Sequence, residues 1–215
     1  MWTVLFSQRF DDWLSEQDDA LQEKVLADLG KLQVYGPELP RPYADTLKGS
    51  RYNNMKELRI QFSGQPIRAF YAFDPIRRAI VLCAGDKSND KRFYEKLIRI
   101  AEDEFAAHLQ NLEINQLRTL DDVIAARSPE SQARIKEMSD EMILEVGLQM
   151  MREELQLSQK YVAEMMGVSQ PAITQLEQRG NDLKLATLKR YIEAMGGKLS
   201  LDVELPTGKR IAFHI

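Results

Sequence analysis

The sequence predicts an α+β protein in two parts. The first is a domain of helices packed on an antiparallel sheet; the second is an all-α helix-turn-helix domain that ends in a β-hairpin. Three observations carry this. MKELRIQF, IRAFYAF and AIVLCAG follow one another between residues 55 and 85, rich in β-branched and aromatic residues and separated only by short turns. Strands joined that closely run antiparallel, because parallel neighbours need long crossovers. From residue 119 to 195 apolar residues recur at helical spacing, and the last stretch, KLSLDVEL-PTG-KRIAFHI, alternates about a Pro-Thr-Gly turn.

Taken in order, Thr3 to Phe6 suits a strand. Phe10, Trp13 and Leu14, then Leu21, Val25, Leu26, Leu29 and Leu32, follow helical spacing until Gly36-Pro37 and the prolines at 40 and 42. The three strands come next, divided by Gly64 with Pro66 and by Asp74-Pro75. Ser88-Asn89-Asp90 offers caps for a helix through Phe93, Leu97, Ile100 and Phe105. The order is β-α-α-β-β-β-α. The pattern weakens over AHLQNLEINQLR, which places a first domain at 1–112, a junction at 113–118 and a second domain at 119–215. The junction lacks Gly and Ser, so a continuous helical connection also suits it. Thr119 with Asp122 resembles a capping box, and Ser128-Pro129-Glu130 is a strong helix start. Ile135, Met138, Met142, Val146 and Met150 then form an apolar stripe, expected as core or partner surface.

Residues 157 to 178, LSQKYVAEMMGVSQPAITQLEQ, hold two short helices about a corner. Ser158 caps the first, Gly167 supplies a positive-φ turn, Val168 is expected to anchor that turn in the core, and Ser169 caps the second, with Pro171 tolerated in its first turn. Ala172, Ile173 and Leu176 share one face. Ser169, Gln170, Pro171, Thr174, Gln175, Gln178 and Arg179 lie at the start and on the outside. Amide side chains carry both donor and acceptor, which reading base edges in a DNA groove requires. Lys184 and Lys189 join Arg179 as phosphate contacts. A solvated face with no partner would more often carry Glu and Lys. Leu185, Leu188, Ile192 and Met195 make a further helix, stopped at Gly196-Gly197. The terminal hairpin must pack on its own domain or on a second subunit, since an isolated one is marginal.

Apolar residues make up 44% and charged residues 29% of 215, as in globular proteins. One cysteine, Cys83, excludes an internal disulfide and sits in a strand-like run. No signal-peptide pattern or membrane-length apolar stretch is seen, so the expected location is the cytoplasm. No metal or cofactor is expected, because neither Cys/His ligand spacing nor a Gly-rich phosphate loop occurs. The net charge is −4, but residues 48–99 hold twelve Lys or Arg against five Asp or Glu, a bias that suits a polyanion.

Residues 148–196, centred on VAEMMGVSQPAITQLEQ, resemble the XRE/Cro-repressor class, whose members bind palindromic operators as dimers. MKELRIQF, PIRAFYAFD and CAGDKSNDKRFYEKLIRIAEDEF resemble the RelE/HigB toxin superfamily, in its Gp49-like branch, and the topology extends that likeness over about residues 1–110. Together the two halves resemble a HigB toxin joined to a HigA antitoxin. The resemblance implies a ribosome-dependent mRNA endoribonuclease in the first half. Its site residues would be Lys56 and Arg59 on the first of the three strands, Arg68 on the second as phosphate clamp, Lys87 after the third, and Lys91, Arg92 and Tyr94 at the last helix. It also implies a second half that silences the toxin and binds operator DNA, and partners comprising operator DNA, ribosome-bound mRNA and a second copy. A steric hypothesis for silencing has residues 119–155 pack on the toxin half, with the acidic stretch 137–145 facing the basic site. The competing reading is a transcription regulator whose toxin-like half no longer cuts and serves assembly or sensing.

Overall fold

The computed structural model describes residues 1–112 and 116–215, so positions 113–115 of the expected junction lie outside the described residues. The chain forms two compact units, residues 1–143 and 144–215.

The first unit is built on a five-stranded sheet. β1 is Thr3–Phe6, β2 Ala44–Thr46, β3 Met55–Phe62, β4 Gln65–Phe73 and β5 Arg78–Asp86, in the spatial order β1-β5-β4-β3-β2. The three hairpin strands are antiparallel as expected. β1, however, pairs parallel with β5, so the sheet is mixed, and β2 is an edge strand too short to show in the sequence pattern. The parallel pair is reachable because two helices, α1 (Gln8–Ser15) and α2 (Asp19–Tyr35), intervene between β1 and the rest.

Alternation along β3 separates two faces. Met55 joins Phe70, Ile80 and Leu82 in the core under α3 (Phe93–Gln110), which adds Phe93, Ala101 and Phe105. Glu57 and Arg59 follow Met55 on that face. Leu58 and Ile60 point to the reverse face, where α2 packs on β1 and β3. α3 starts at Phe93, later than the Ser88-Asn89-Asp90 caps suggest. Asp90 accepts from the Arg92 N–H at 2.9 Å, which makes a turn before the helix.

A continuous helix across the junction does not form. α3 ends at Gln110, and Arg118 reaches β1, where its carbonyl accepts from the Phe6 N–H at 2.9 Å. α4 (Leu120–Ala125) has the expected capping box between Thr119 and Asp122. α5 (Pro129–Glu154) then begins against α2. Gly30 makes that approach feasible: a Cβ there would overlap the Ser139 hydroxyl. Glu23 of α2, buried, accepts from Arg134 at 2.7 and 2.9 Å and from Ser131 at 2.8 Å. The acidic stretch of α5 does not face the basic site: Glu137 and Glu141 line a cleft with Ala20, Lys24 and Phe62, on the α2 side.

In the second unit the end of α5 packs with α6 (Gln159–Met166), α7 (Gln170–Glu177) and α8 (Leu185–Ala194) around Leu148, Val162, Ile173, Tyr191 and Ile192. Ser158 caps α6 through the Tyr161 N–H at 3.0 Å, and Gly167 sits at φ 67°. Two expectations fail at the corner. Val168 is 38% exposed rather than buried, because the Gly167 turn directs it outward, and Ser169 holds the cap position of α7 without a side-chain cap bond. β6 (Ser200–Glu204) and β7 (Arg210–His214) form the expected hairpin, with Gly208 at φ 79° in its turn.

Candidate functional site

The α3 face of the sheet gathers part of the expected set about a residue that the sequence reading did not single out, Glu57. Arg59 and Arg68 lie directly opposite each other across β3 and β4. Glu57 is 4% exposed. Its Oε1 accepts from Arg59 Nε at 3.0 Å, and its Oε2 accepts from the Tyr94 hydroxyl at 2.8 Å. Arg68 Nε stands 3.8 Å from Oε2, too far for a hydrogen bond, and is buried without an acceptor. Arg68 Nη1 donates to the Ile67 carbonyl at 3.0 Å.

The two arginines are therefore differently engaged. Arg59 is held by two carboxylates: its Nη2 donates to Asp45 at 2.9 Å, while Asp45 also pairs with Arg41 at 2.8 Å. The Glu57 hydrogen bond, against the opposing effect of burial, raises the Arg59 pKa. Arg68 keeps one fork donor unspent. Tyr94 stacks on Phe70 at 5.9 Å and 20° between planes, and Lys87 Nζ lies 5.4 Å from its ring centroid. Burial, then the bond to Glu57, raises the Tyr94 pKa, so the phenol stays protonated near neutral pH. Phe93, in contrast, is buried in the core.

The other expected residues lie elsewhere. Lys56 points to the reverse face, where its Nζ donates to the Pro37 carbonyl at 3.3 Å. Lys91 and Arg92 are exposed at the entrance to α3. Cys83 is buried and its thiol pKa is pushed up to about 12, which makes it inert. The signal for Glu57 was present: in Met55-Lys56-Glu57-Leu58-Arg59 an acid shares the alternation with an arginine inside a strongly basic section.

On α7, Ser169, Gln170, Pro171, Gln175, Gln178 and Arg179 are all exposed, and Thr174 is half-buried. Thr174 Oγ1 donates to Gln159 Oε1 at 2.9 Å, and Gln159 Nε2 donates to Glu177 Oε2 at 2.8 Å. Glu177 is buried and accepts from Arg152 at 2.7 Å and from the Tyr191 hydroxyl at 2.6 Å. This network pins the outer helix to α5, α6 and α8. Glu177 escaped the sequence reading too, although it falls on the Ile173–Leu176 stripe, where a charge is out of place.

Residues 12–106 match the model of phage-derived Gp49-like proteins, and residues 148–201 match a helix-turn-helix family. A Mycobacterium tuberculosis protein named as toxin HigB3 is 38% identical over 100 residues, which cover 46% of this chain and 86% of that protein. The chain belongs to the Gp49-like, HigB-type toxin family. A helix-turn-helix domain is fused behind the toxin-like domain. Another protein of that organism, named as toxin HigB2, is 41% identical over 108 residues, 49% of this chain and 54% of its own length. A third, antitoxin HigA1, is 35% identical over 86 residues, 40% of this chain and 58% of its own. The chain thus spans little more than half the length of the HigB2 and HigA1 relatives. No solved structure matches it. Among the described residues, no helix is long and apolar enough to cross a membrane.

Proposed function

We propose that this HigB-type chain is a toxin–antitoxin protein of type II. Its first unit cuts ribosome-bound mRNA, and its second binds operator DNA. The observation that carries the RNA reading is Arg68: a buried guanidinium with an unspent Nε donor, on one face with Lys87 and Tyr94. Cleavage by a ribose 2′-hydroxyl needs charge neutralised at the phosphate and protons moved at two oxygens. Arg68 and Lys87 serve the phosphate, and Tyr94 serves proton transfer. Arg59, occupied by Asp45 and Glu57, frames the site rather than gripping substrate. Lys91 and Arg92, exposed beside it, guide the RNA backbone.

The DNA reading rests on the amide-bearing outer face of α7. Gln170 and Gln175 read base edges, and Arg179 meets phosphate. The hairpin pairs with that of a second copy. Register places Leu201 opposite Phe213 and Val203 opposite Ile211 on one face, and Phe213 is 50% exposed. The functional division between toxin and antitoxin falls at 113–118, yet residues 116–143 belong to the first compact unit. Those residues pack on the α2 side, away from Arg68, and so do not plug the site. The compartment is the cytoplasm, where mRNA and operator are both present.

Expression of residues 1–143 from a tightly controlled promoter tests the enzyme. Growth arrest with mRNA cleavage, relieved by Arg68→Ala with Lys87→Ala, is expected. Healthy growth with a folded, soluble fragment would instead establish the non-catalytic regulator. For the second unit, Gln170→Ala and Gln175→Ala should weaken operator binding and spare binding to random DNA.

A further inference from the structure

We propose that Glu57 is a positioning residue that receives the 2′-hydroxyl proton by way of Tyr94, an inference that rests on the RNA-cleaving reading above. Glu57 is too buried for a substrate hydroxyl to touch, its side chain being 5% exposed. Tyr94, a half-buried residue whose hydroxyl lies 2.8 Å from Oε2, links it to the rest of the site. A phenol that keeps its proton cannot act as a standing base. It can accept one proton on oxygen while passing its own to a carboxylate behind it, and the Tyr94–Glu57 bond has the direction this requires.

The groups around Glu57 come from its own strand, from both neighbouring strands and from α3. Arg59 on β3 and Arg68 on β4 face it with positive charge. Asp45, its register partner on β2, is turned to Arg41 and Arg59. Phe70, its partner on β4, supports the Tyr94 ring, and Lys87 approaches that ring. Arg68 Nε, left without an acceptor beside the pair, and the partial exposure of Tyr94 set Glu57 apart from a carboxylate that only holds an arginine.

The 2′-oxygen forms a bond to phosphorus as its proton moves to Tyr94 Oη and the phenolic proton moves to Glu57 Oε2. The P–O5′ bond breaks, and the leaving 5′-oxygen takes a proton from the Lys87 ammonium. The products are a 2′,3′-cyclic phosphate and a 5′-hydroxyl. Glu57 releases its proton to solvent and Lys87 regains one, so no net proton is consumed.

The test uses the full chain and ribosomes programmed with a defined mRNA, with single-turnover cleavage followed against pH. Glu57→Gln and Tyr94→Phe should each slow cleavage by about 10²-fold or more, and the double variant should be no slower than the slower single, because the pair acts as a unit. Glu57→Gln should also lose the plateau of the wild-type pH profile and rise steadily with pH. Losses that multiply in the double variant, or an unchanged profile shape in Glu57→Gln, would overturn the relay and leave Glu57 a structural residue. A proton inventory on the wild-type chain needs no variant to fold: a curved dependence on deuterium fraction is expected, and a straight line, reporting one proton in flight, overturns the relay. Absence of cleavage by the wild-type chain overturns the RNA-cleaving reading itself, and the relay with it.

Discussion

The two units each bury one glutamate among arginine and tyrosine partners, with opposite results. Glu177 accepts from Arg152, Tyr191 and Gln159, and every bond closes within the helical core. Glu57 accepts from Arg59 and Tyr94, yet leaves Arg68 Nε beside it without an acceptor and its tyrosine half-exposed. The same three residue types make a lock in one place and a candidate site in the other. A buried ion pair says little about function by itself. The informative features are the donor left over and the side chain that reaches both the carboxylate and the surface.

Substitutions at these residues put the difference to the test. Arg68→Ala removes the leftover donor and should cost about 10²–10³-fold in cleavage rate, measured on programmed ribosomes; a loss below tenfold would put Arg68 with the structural residues. Glu177→Ala strands Arg152 in the core and should cost about 3–5 kcal/mol, seen as lower-temperature melting of the helical unit while the first unit retains its transition. The tyrosines divide the same way. Tyr191→Phe should cost about 1 kcal/mol in denaturant unfolding, whereas Tyr94→Phe should change stability less and cleavage far more. If the two changes proved alike in both assays, the distinction between lock and site would fail.

Acid provides the mildest test. Hydrogen bonds from Arg134 hold the Glu23 carboxyl down from 4.5 to about 2, with burial opposing and Ser131 assisting. Glu177 is lowered as well, burial being outweighed by its bonds to Arg152, Tyr191 and Gln159. A carboxyl whose folded pKa lies below its unfolded one gives its full stabilisation above the unfolded pKa and loses it as pH falls towards the folded one. The first unit should therefore weaken between pH 4.5 and about 2 in denaturant titrations. Glu23→Gln should flatten that slope, and Glu177→Gln should do the same for the second unit.

Much of this was legible in the sequence because local rules governed it. The Thr119 capping box, the Gly167 corner and the three hairpin strands depend on residues within a few positions of one another. What escaped depends on long-range pairing. The parallel bond between β1 and β5 joins Thr3 to Arg78, a partner no local pattern names. Lys56 and Arg59 look alike in a basic strand, and only the sheet's two coverings show that Lys56 faces away. Glu57 and Glu177 were passed over because a lone acid is taken for a surface residue until its partners, on other elements, are in view. Val168 misled because an apolar residue at a helix corner is ordinarily core, while here the turn leaves it outside.

Gly30 lets α5 lie against α2 at Ser139. Since α4 and the opening turns of α5 help build the first unit, a protease trimming this chain backwards from the hairpin would remove the whole second unit before reaching anything that the toxin-like domain leans on. A cut at the junction itself, by contrast, would strip a supporting wall. Digestion from the rear and a nick in the middle would thus leave two different remnants, the first with every wall of its first unit and the second with one wall cut away.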